Sequence, residues 1–417
     1  MPNPASKHDA FAALKIRDYR LFVGFRFFMT IAIQMQSLII GWQVYELTRD
    51  PLSLGLVGLA EAVPFIAVAL YAGHIADLHD RKRIILYFEM MFLAGTLILF
   101  LFSLDLARFH RVYGLLPIYL VVGLTGIART FIAPAQTALS AQIVPRELFP
   151  NASTWNSTTW HVSAITGPAL GGLIYGFFGV KIAYGAILSF GILSIALLGA
   201  VPRRPVPASL VMEPLKRRLL TGLRFVFGHQ ILLASMSLDM FGVLFGGAVS
   251  MLPVFAAEVL RVGPQGLGFL RAAPMAGAVL MSVFLAYRPP MRKTGRFLLL
   301  GVSGFGMSII LFALSKNYYL SLALLFLSGL FDNISVIIRA TTLQLVTPDE
   351  MRGRVASVNS IFIGSSNEIG SFESGVAARL MGLVPSVVFG GAMTLLVVGA
   401  TAKLAPALRR LSLKSLG

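Results

Sequence analysis

The chain has 417 residues, 56% of them hydrophobic and only 13% charged, with a mean hydropathy of +0.79. A soluble domain cannot hide so much apolar surface, so a water-soluble globular protein is excluded and the bilayer is the solvent. The lack of cysteine excludes disulfides and thiolate metal sites, while the net charge of +17 has to be judged by where the bases stand.

The N-terminal segment MPNPASKHDAFAALKIRDYR is polar and basic, with no signal-peptide core directly after it. Apolar runs of about 20 residues, enough to cross a bilayer, then recur to the end of the chain. Spans are predicted at 18–46, 51–77, 83–104, 113–140, 150–178, 182–200, 229–260, 264–287, 296–314, 317–346, 351–380 and 384–403. No gap could hold a further domain. The longest, 201–228, reads VPRRPVPASLVMEPLKRRLLTGLRFVFG, a proline-broken basic linker followed by a short amphipathic helix.

The bases orient these spans. With the N-terminus inside, the cytoplasmic segments hold 24 of the 35 Lys and Arg and the outer loops hold six: Arg49, Arg108, Arg111, Lys181, Arg261 and Lys316. The other five, Arg26, Arg129, Arg271, Arg339 and Arg379, fall within spans. Both termini are therefore expected in the cytoplasm. The positive charge reads as a topology signal beside anionic headgroups and not as a nucleic-acid surface.

The sequence also repeats itself. YELTRDPLSLGLVGLAEA (45–62) aligns with AEVLRVGPQGLGFLRAAP (257–274), matching Glu46 with Glu258, Arg49 with Arg261 and, after one inserted residue, Leu54-Gly55 with Leu267-Gly268. VPRELFPNASTWNS (144–157) aligns with TPDEMRGRVASVNS (347–360), matching Pro145, Glu147, Asn156 and Ser157 with Pro348, Glu350, Asn359 and Ser360. Two matches in order, with the same number of spans between them, argue for a duplication. The expected domains are a six-helix bundle at 1–200, a cytoplasmic linker at 201–228 and a second bundle at 229–417. Two such halves around an axis along the membrane normal are the layout of a rocker-type transporter with its site between them.

The turn between the second and third spans, GHIADLHDRKR (73–83), carries five charges, acids first and bases after. Gly73, Ile75-Ala76-Asp77 and Arg81-Lys82-Arg83 resemble the loop 2–3 signature of the major facilitator superfamily, with Leu78 in place of a usual base and Asp80 in place of a frequent glycine. The acid-then-base variant, and the stretches YELTRDPLSLGLVGLAEAVP and FESGVAARLMGLVPSVVFGG, resemble the enterobactin-exporter-like and drug:proton antiporter branch. The resemblance covers essentially the whole chain. A carboxylate at Asp77 can sit against the positive N-terminus of a neighbouring helix, for about 0.3–1 kcal/mol when exposed. That strength suits a latch that must also open. A topology-setting basic loop accounts for Arg81, Lys82 and Arg83 but not for the acid before them. The resemblance implies a partner at the start of the eleventh span, near Asp349–Arg354. The matching turn of the second half, AYRPPMRKTGR (286–296), has Ala286 and Pro290 where Gly73 and Asp77 stand, so the latch is asymmetric, or lost on that side.

In the fifth span, SAITGPALGGLIYG sets Ser163, Gly167 and Gly171 four apart, beside a second row of Ala164, Pro168, Gly172 and Gly176. Rows of small residues let another helix backbone come close, and Pro168 removes one helical hydrogen bond. The string resembles the antiporter motif of the superfamily, with Ser163 for its leading glycine, and the resemblance implies export. Arg129 in the fourth span resembles a further motif, with Ile132 and Ala133 in its Gln and Gly positions.

Charge in mid-membrane costs at least about 2.5–3.5 kcal/mol per residue, so each instance calls for a reason. The acids are Glu61, Glu89, Asp239, Asp332, Glu368 and Glu373. Asp239 or Glu61, with Arg129 or Arg26 as counter-charge, are the leading candidates for proton coupling. Satisfaction by neighbouring helices for packing alone is the plain alternative. Asp332 and Arg339, two turns apart on one helix, are too far apart to pair, and Glu368 and Arg379 lie three turns apart. His161 is more simply a hydrogen-bonded packing residue than a relay. Gln34, Gln36 and Gln43, with Trp42, can either line a cavity for bulky amphipathic solutes or pack the core.

No lysine follows a glycine, so there is no phosphate-binding loop. No catalytic or metal-ligating set is found, and no cofactor or enzymatic activity is expected. The reading is an all-α integral membrane protein of twelve helices in two pseudo-symmetric bundles, acting as a monomeric, proton-coupled exporter of a hydrophobic or amphipathic compound such as a siderophore or drug. Its partners are that small molecule, protons and lipid, in a bacterial inner membrane. An importer, a lysophospholipid flippase or a non-transporting receptor of the same fold are the alternatives.

Overall fold

The computed structural model describes residues 9–204, 215–288 and 293–415; the linker stretch 205–214 and Pro290 lie outside them. The described chain is helical: α1 (Arg17–Thr48), α2 (Pro51–Leu78), α3 (Arg81–Leu104), α4 (Leu106–Tyr113), α5 (Leu116–Ile143), α6 (Phe149–Gly199), α7 (Leu215–Gly228), α8 (Gln230–Phe245), α9 (Ala248–Val254), α10 (Gly263–Tyr287), α11 (Thr294–Leu314), α12 (Tyr318–Val346), α13 (Arg352–Met381), α14 (Leu383–Leu404) and α15 (Pro406–Arg409). In hydrocarbon every backbone polar group needs an internal partner, which leaves helices as the solution for spans of this composition. α4 falls where the sequence suggested only a connector.

The breaks between helices are local chemistry. α1 stops at Arg49, which takes a left-handed conformation (φ 52°) and returns its N–H to Tyr45. The Asp50 carboxylate then accepts from the Leu52 N–H, and Pro51 starts α2. α6 has 51 residues, about 77 Å at 1.5 Å per residue and far more than the ~30 Å hydrocarbon core. It is broken at Gly179 (φ 80°, ψ 176°), a conformation essentially reserved for glycine. Before the break, Ser163 donates to the Phe27 carbonyl and Gly171 abuts Met35, so the chain climbs alongside α1. After it, Tyr184 donates to Gln43 and Ser194 to the Phe25 carbonyl, so it descends. α6 therefore spans twice.

Ten described segments are long and apolar enough to cross a membrane, with α6 counted once and Gln230–Val259 taken as one. The return of α6, together with α13, a 30-residue helix made more polar by Asn359, Ser360, Asn367, Glu368 and Glu373, brings the described rods to twelve. The first six pack chiefly on one another, as do the last six. The groups meet along two crossings, α2 on α13 and α10 on α6.

Those crossings obey the repeat. A Cβ on Gly55 would stand 3.0 Å from the Gly375 Cα, and one on Gly172 would stand 2.9 Å from the Gly268 Cα. Gly55 aligns with Gly268, and the spacing that aligns 144–157 with 347–360 pairs Gly172 with Gly375. Within each group, Gly167 leans on Ile31 as Gly370 leans on Leu244. Arg49 and Arg261, matched in sequence, are two of three non-glycine residues with positive φ among those described.

The end away from the termini is tied across the groups. Arg49 pairs with Glu258 at 3.3 Å, Tyr45 donates to Glu258 at 3.0 Å, and Arg379 pairs with Asp50 at 3.5 Å. Toward the other end, Phe65 still meets Gly364. Beyond it Ile66, Tyr71 and Leu78 of α2 are exposed, and nothing lies within 4 Å of where a Gly73 Cβ would stand.

Candidate functional site

Four mid-span charges converge where the two groups meet. Glu61 on α2 forms an ion pair with Arg129 on α5, and Gly126, one turn before Arg129, admits the Glu61 backbone. Arg271 on α10 donates to Ser37 Oγ of α1 at 2.7 Å. Glu368 sits on α13, where its carbonyl lies under Gly58. The charges of Glu61, Arg129, Arg271 and Glu368 act on one another. The Arg129 side chain keeps 47% of its surface accessible, so it is not sealed in the core. Of the sequence candidates, the Glu61 and Arg129 pair is realised and Glu368 joins it. Composition marks Arg271 only as an intramembrane arginine. Its signal is the repeat, which sets it opposite Gly58, so that the second half puts a charge where the first has none.

A second charged group lies inside the last six spans. Asp239 on α8 forms an ion pair with Arg339 on α12 and accepts from Ser335 at 3.3 Å. Its side chain is 5% and that of Arg339 7% exposed. Asp239 and Asp332 line one small cavity with Gly242, Val243, Val302, Phe305 and Ser335. Asp332 and Arg339 do not pair directly, as their spacing indicated. What the spacing could not show is that Arg339 is taken by Asp239 across the bundle. The sequence offered Arg129 or Arg26 as the counter-charge of Asp239; the residue present is Arg339. This group holds two carboxylates and one guanidinium.

The charged turn divides its labour. Asp80 caps α3, accepting from the Lys82 and Arg83 N–H groups, and Arg83 pairs back to it at 3.5 Å. Lys82 reaches the Gly199 and Val201 carbonyls at the end of α6, and Arg81 Nε donates to the Ala76 carbonyl at 3.2 Å. Both bases are buried and cover carbonyl ends of helices, where positive charge is favoured. Asp77 stands exposed in the last turn of α2.

The two small-residue rows of the fifth span meet two different partners. Ser163, Gly167 and Gly171 accept α1, while Gly172 and Gly176 accept α10, with Gln265 lying against Gly176. The Pro168 carbonyl would stand 2.7 Å from a Cβ on Gly268. The motif is thus both a packing surface within one group and half of a crossing between groups.

Other candidates lie elsewhere. Arg26 has its guanidinium 6.0 Å from the Phe22 ring and is no partner of Glu61 or Asp239. Gln36 is buried between Thr96 and Thr125, and Gln43 accepts from Tyr184, so both belong to the core. The half-buried Gln34 presses against Gly167. His161 Nδ1 lies 2.7 Å from the Ser157 carbonyl, as a packing histidine does. Glu89 is fully buried, in hydrogen-bond contact with Ser194, and has no basic partner among the described residues. No three metal-binding side chains come together among the described residues.

Comparison with known proteins adds to this geometry. The family described as transmembrane secretion effector, a branch of the major facilitator superfamily, matches residues 8–415. The enterobactin exporter EntS of Shigella flexneri is 26% identical over 375 residues, covering 90% of this chain and 88% of that protein. EntS of Escherichia coli O1:K1 / APEC is 27% identical over 376 residues, with the same coverage of 90% and 88%. The peptide transporter POT in complex with sulfate superposes with a TM-score of 0.73 at 11% identity, covering 97% of this chain and 99% of that one. A mutant of the nucleoside transporter NupG does so with a TM-score of 0.69 at 12% identity, covering 94% and 98%. These two establish the fold and nothing finer.

Proposed function

The chain belongs to the transmembrane secretion effector family of the major facilitator superfamily, and on that premise we propose that it is a proton-coupled exporter of a hydrophobic or amphipathic small molecule, working by alternating access. The observation that carries the reading is the division of the mid-span cluster. Residues 1–200 bring Glu61 and Arg129, residues 229–417 bring Arg271 and Glu368, and each half takes one acid and one base. When the halves separate at this level, neither is left with a bare charge in a poor solvent, which would cost several kcal/mol. Two neutral halves can therefore part and rejoin, with residues 201–228 as their tether.

The solute meets this cluster at the accessible side of Arg129, and relatives named as enterobactin exporters support a siderophore or drug-like compound. The carboxylates of the Asp239, Arg339 and Asp332 group outnumber its base, so one proton would balance it. Asp332, which has no hydrogen bond or ion pair among the described residues, is the natural carrier. With both termini in the cytoplasm of a bacterial inner membrane, the tied ends close the outer side. Asp77 serves as the latch of the inner side, and the monomer is the working unit.

The test is a proton-gradient assay in everted vesicles. Addition of the right member of a panel of siderophores, detergents and cationic drugs should collapse the gradient and drive that compound inward. No collapse across the panel, or solute movement indifferent to the gradient, would overturn the coupling. Lipid movement without solute movement would point to a flippase.

A further inference from the structure

We propose that α4 is a membrane-surface helix, seating its apolar side in the lipid leaflet opposite the chain termini and holding lipid phosphates with Arg108 and Arg111. The turn between α2 and α3 needs only His79 and Asp80, yet the one between α3 and α5 builds eight residues of helix. That helix is well defined at both ends. Asp105 accepts from the Arg108 N–H, and Gly114, at φ 58°, returns its N–H to the His110 carbonyl at 2.8 Å.

At 100° per residue, Leu106, Phe109, Val112 and Tyr113 fall on one side and Arg108 and Arg111 on the other. Leu106 packs on the core, and Phe109 packs on Phe102 and Tyr113 with ring centres 6.1 and 6.2 Å away. Beyond these contacts, Val112 is 64% and Tyr113 55% exposed.

Lipid is the occupant that continuity and charge both favour. Leu101 and Leu104 at the end of α3, and Leu116 and Leu120 at the start of α5, are exposed large apolar side chains on spanning helices. The apolar side of α4 extends that surface past the end of the spans. Its opposite side presents two guanidinium groups, and neither has a side-chain hydrogen bond or ion pair among the described residues. The nearest acid in sequence, Asp105, is used as the cap. An amphipathic helix with aromatic and aliphatic residues below and arginines above fits the boundary between acyl chains and phosphates.

The cysteine-free chain allows a direct test. Spin labels are placed singly by Arg108→Cys, Arg111→Cys, Val112→Cys and Tyr113→Cys in the full-length protein, in phosphatidylethanolamine–phosphatidylglycerol vesicles. Collision rates with oxygen and with a water-soluble nickel chelate are then compared. The expected result is a several-fold higher oxygen-to-nickel ratio at 112 and 113 than at 108 and 111. It should fall at 112 when Arg108→Glu and Arg111→Glu are added and persist with Arg108→Lys and Arg111→Lys. Equal ratios at all four sites would overturn the membrane placement, and indifference to the glutamates would overturn the phosphate contact. A label at 112 that is wet in vesicles but shielded in native membranes would overturn it in favour of a protein partner.

Discussion

Gly55 and Gly375 pack so closely that a Cβ on Gly375 would stand 2.6 Å from the Gly55 Cα, and this contact, repeated by Gly268 and Gly172, joins the two halves. Neither crossing has room for a side chain, so each glycine is required by the approach of two backbones.

The first expectation concerns that approach. Gly55→Leu or Gly268→Leu should hold the tied ends apart. Overpacking costs about 1–3 kcal/mol, enough to lower the closed population about fivefold or more. Transport should fall while the protein still inserts. A cysteine placed at Ser371 should react faster with an impermeant maleimide from the side away from the termini. Unchanged labelling would count against the crossing as the closing contact.

The two intramembrane ion pairs should respond differently to neutralisation. Asp239→Asn leaves Arg339 without its partner in a site only a few per cent exposed, which typically costs about 3–5 kcal/mol. Arg129→Ala strands Glu61 beside surface that Arg129 leaves accessible, where water can compensate, and about 1–3 kcal/mol is expected. Thermal unfolding in a fixed detergent would rank the two, and Asp239→Leu combined with Arg339→Met should recover much of the loss.

Asp332→Asn removes a carboxylate that has no bonded partner among the described residues, so stability should hold or rise slightly. Gradient-driven accumulation should vanish while substrate exchange across the membrane continues. Loss of exchange as well would make Asp332 part of the solute site and not of the coupling.

The charged turn separates stability from gating. Asp80→Ala removes an N-cap worth about 1 kcal/mol, and Lys82→Met uncovers the α6 carbonyls, for about 0.3–1 kcal/mol or more given its burial. Both should lower the unfolding temperature. Asp77→Asn should slow transport. If Asp77→Asn transports normally, the latch is wrong and the turn is only structural.

Much of this architecture is legible before any fold is seen, because lipid enforces a simple rule: apolar runs become helices, and bases stay on one side. The spans, their number, the repeat and the identity of the small-residue rows follow from that rule and from spacing along one helix. Partnership between helices does not. Spacing along one helix excludes Asp332 as the partner of Arg339, but nothing in the sequence says that Asp239 answers it, or that Arg271 reaches the Glu61 cluster. It also does not say that Lys82 covers the end of α6, or that Gln36 and Gln43 are core residues. Nor does it show that 106–113 forms a helix, since eight residues carry too little periodicity to separate a surface helix from a loop. Hydrophobic patterning is a property of each segment, fixed by the solvent around it. The pairing of charges depends on which segments lie side by side, and only the packed tertiary structure decides that.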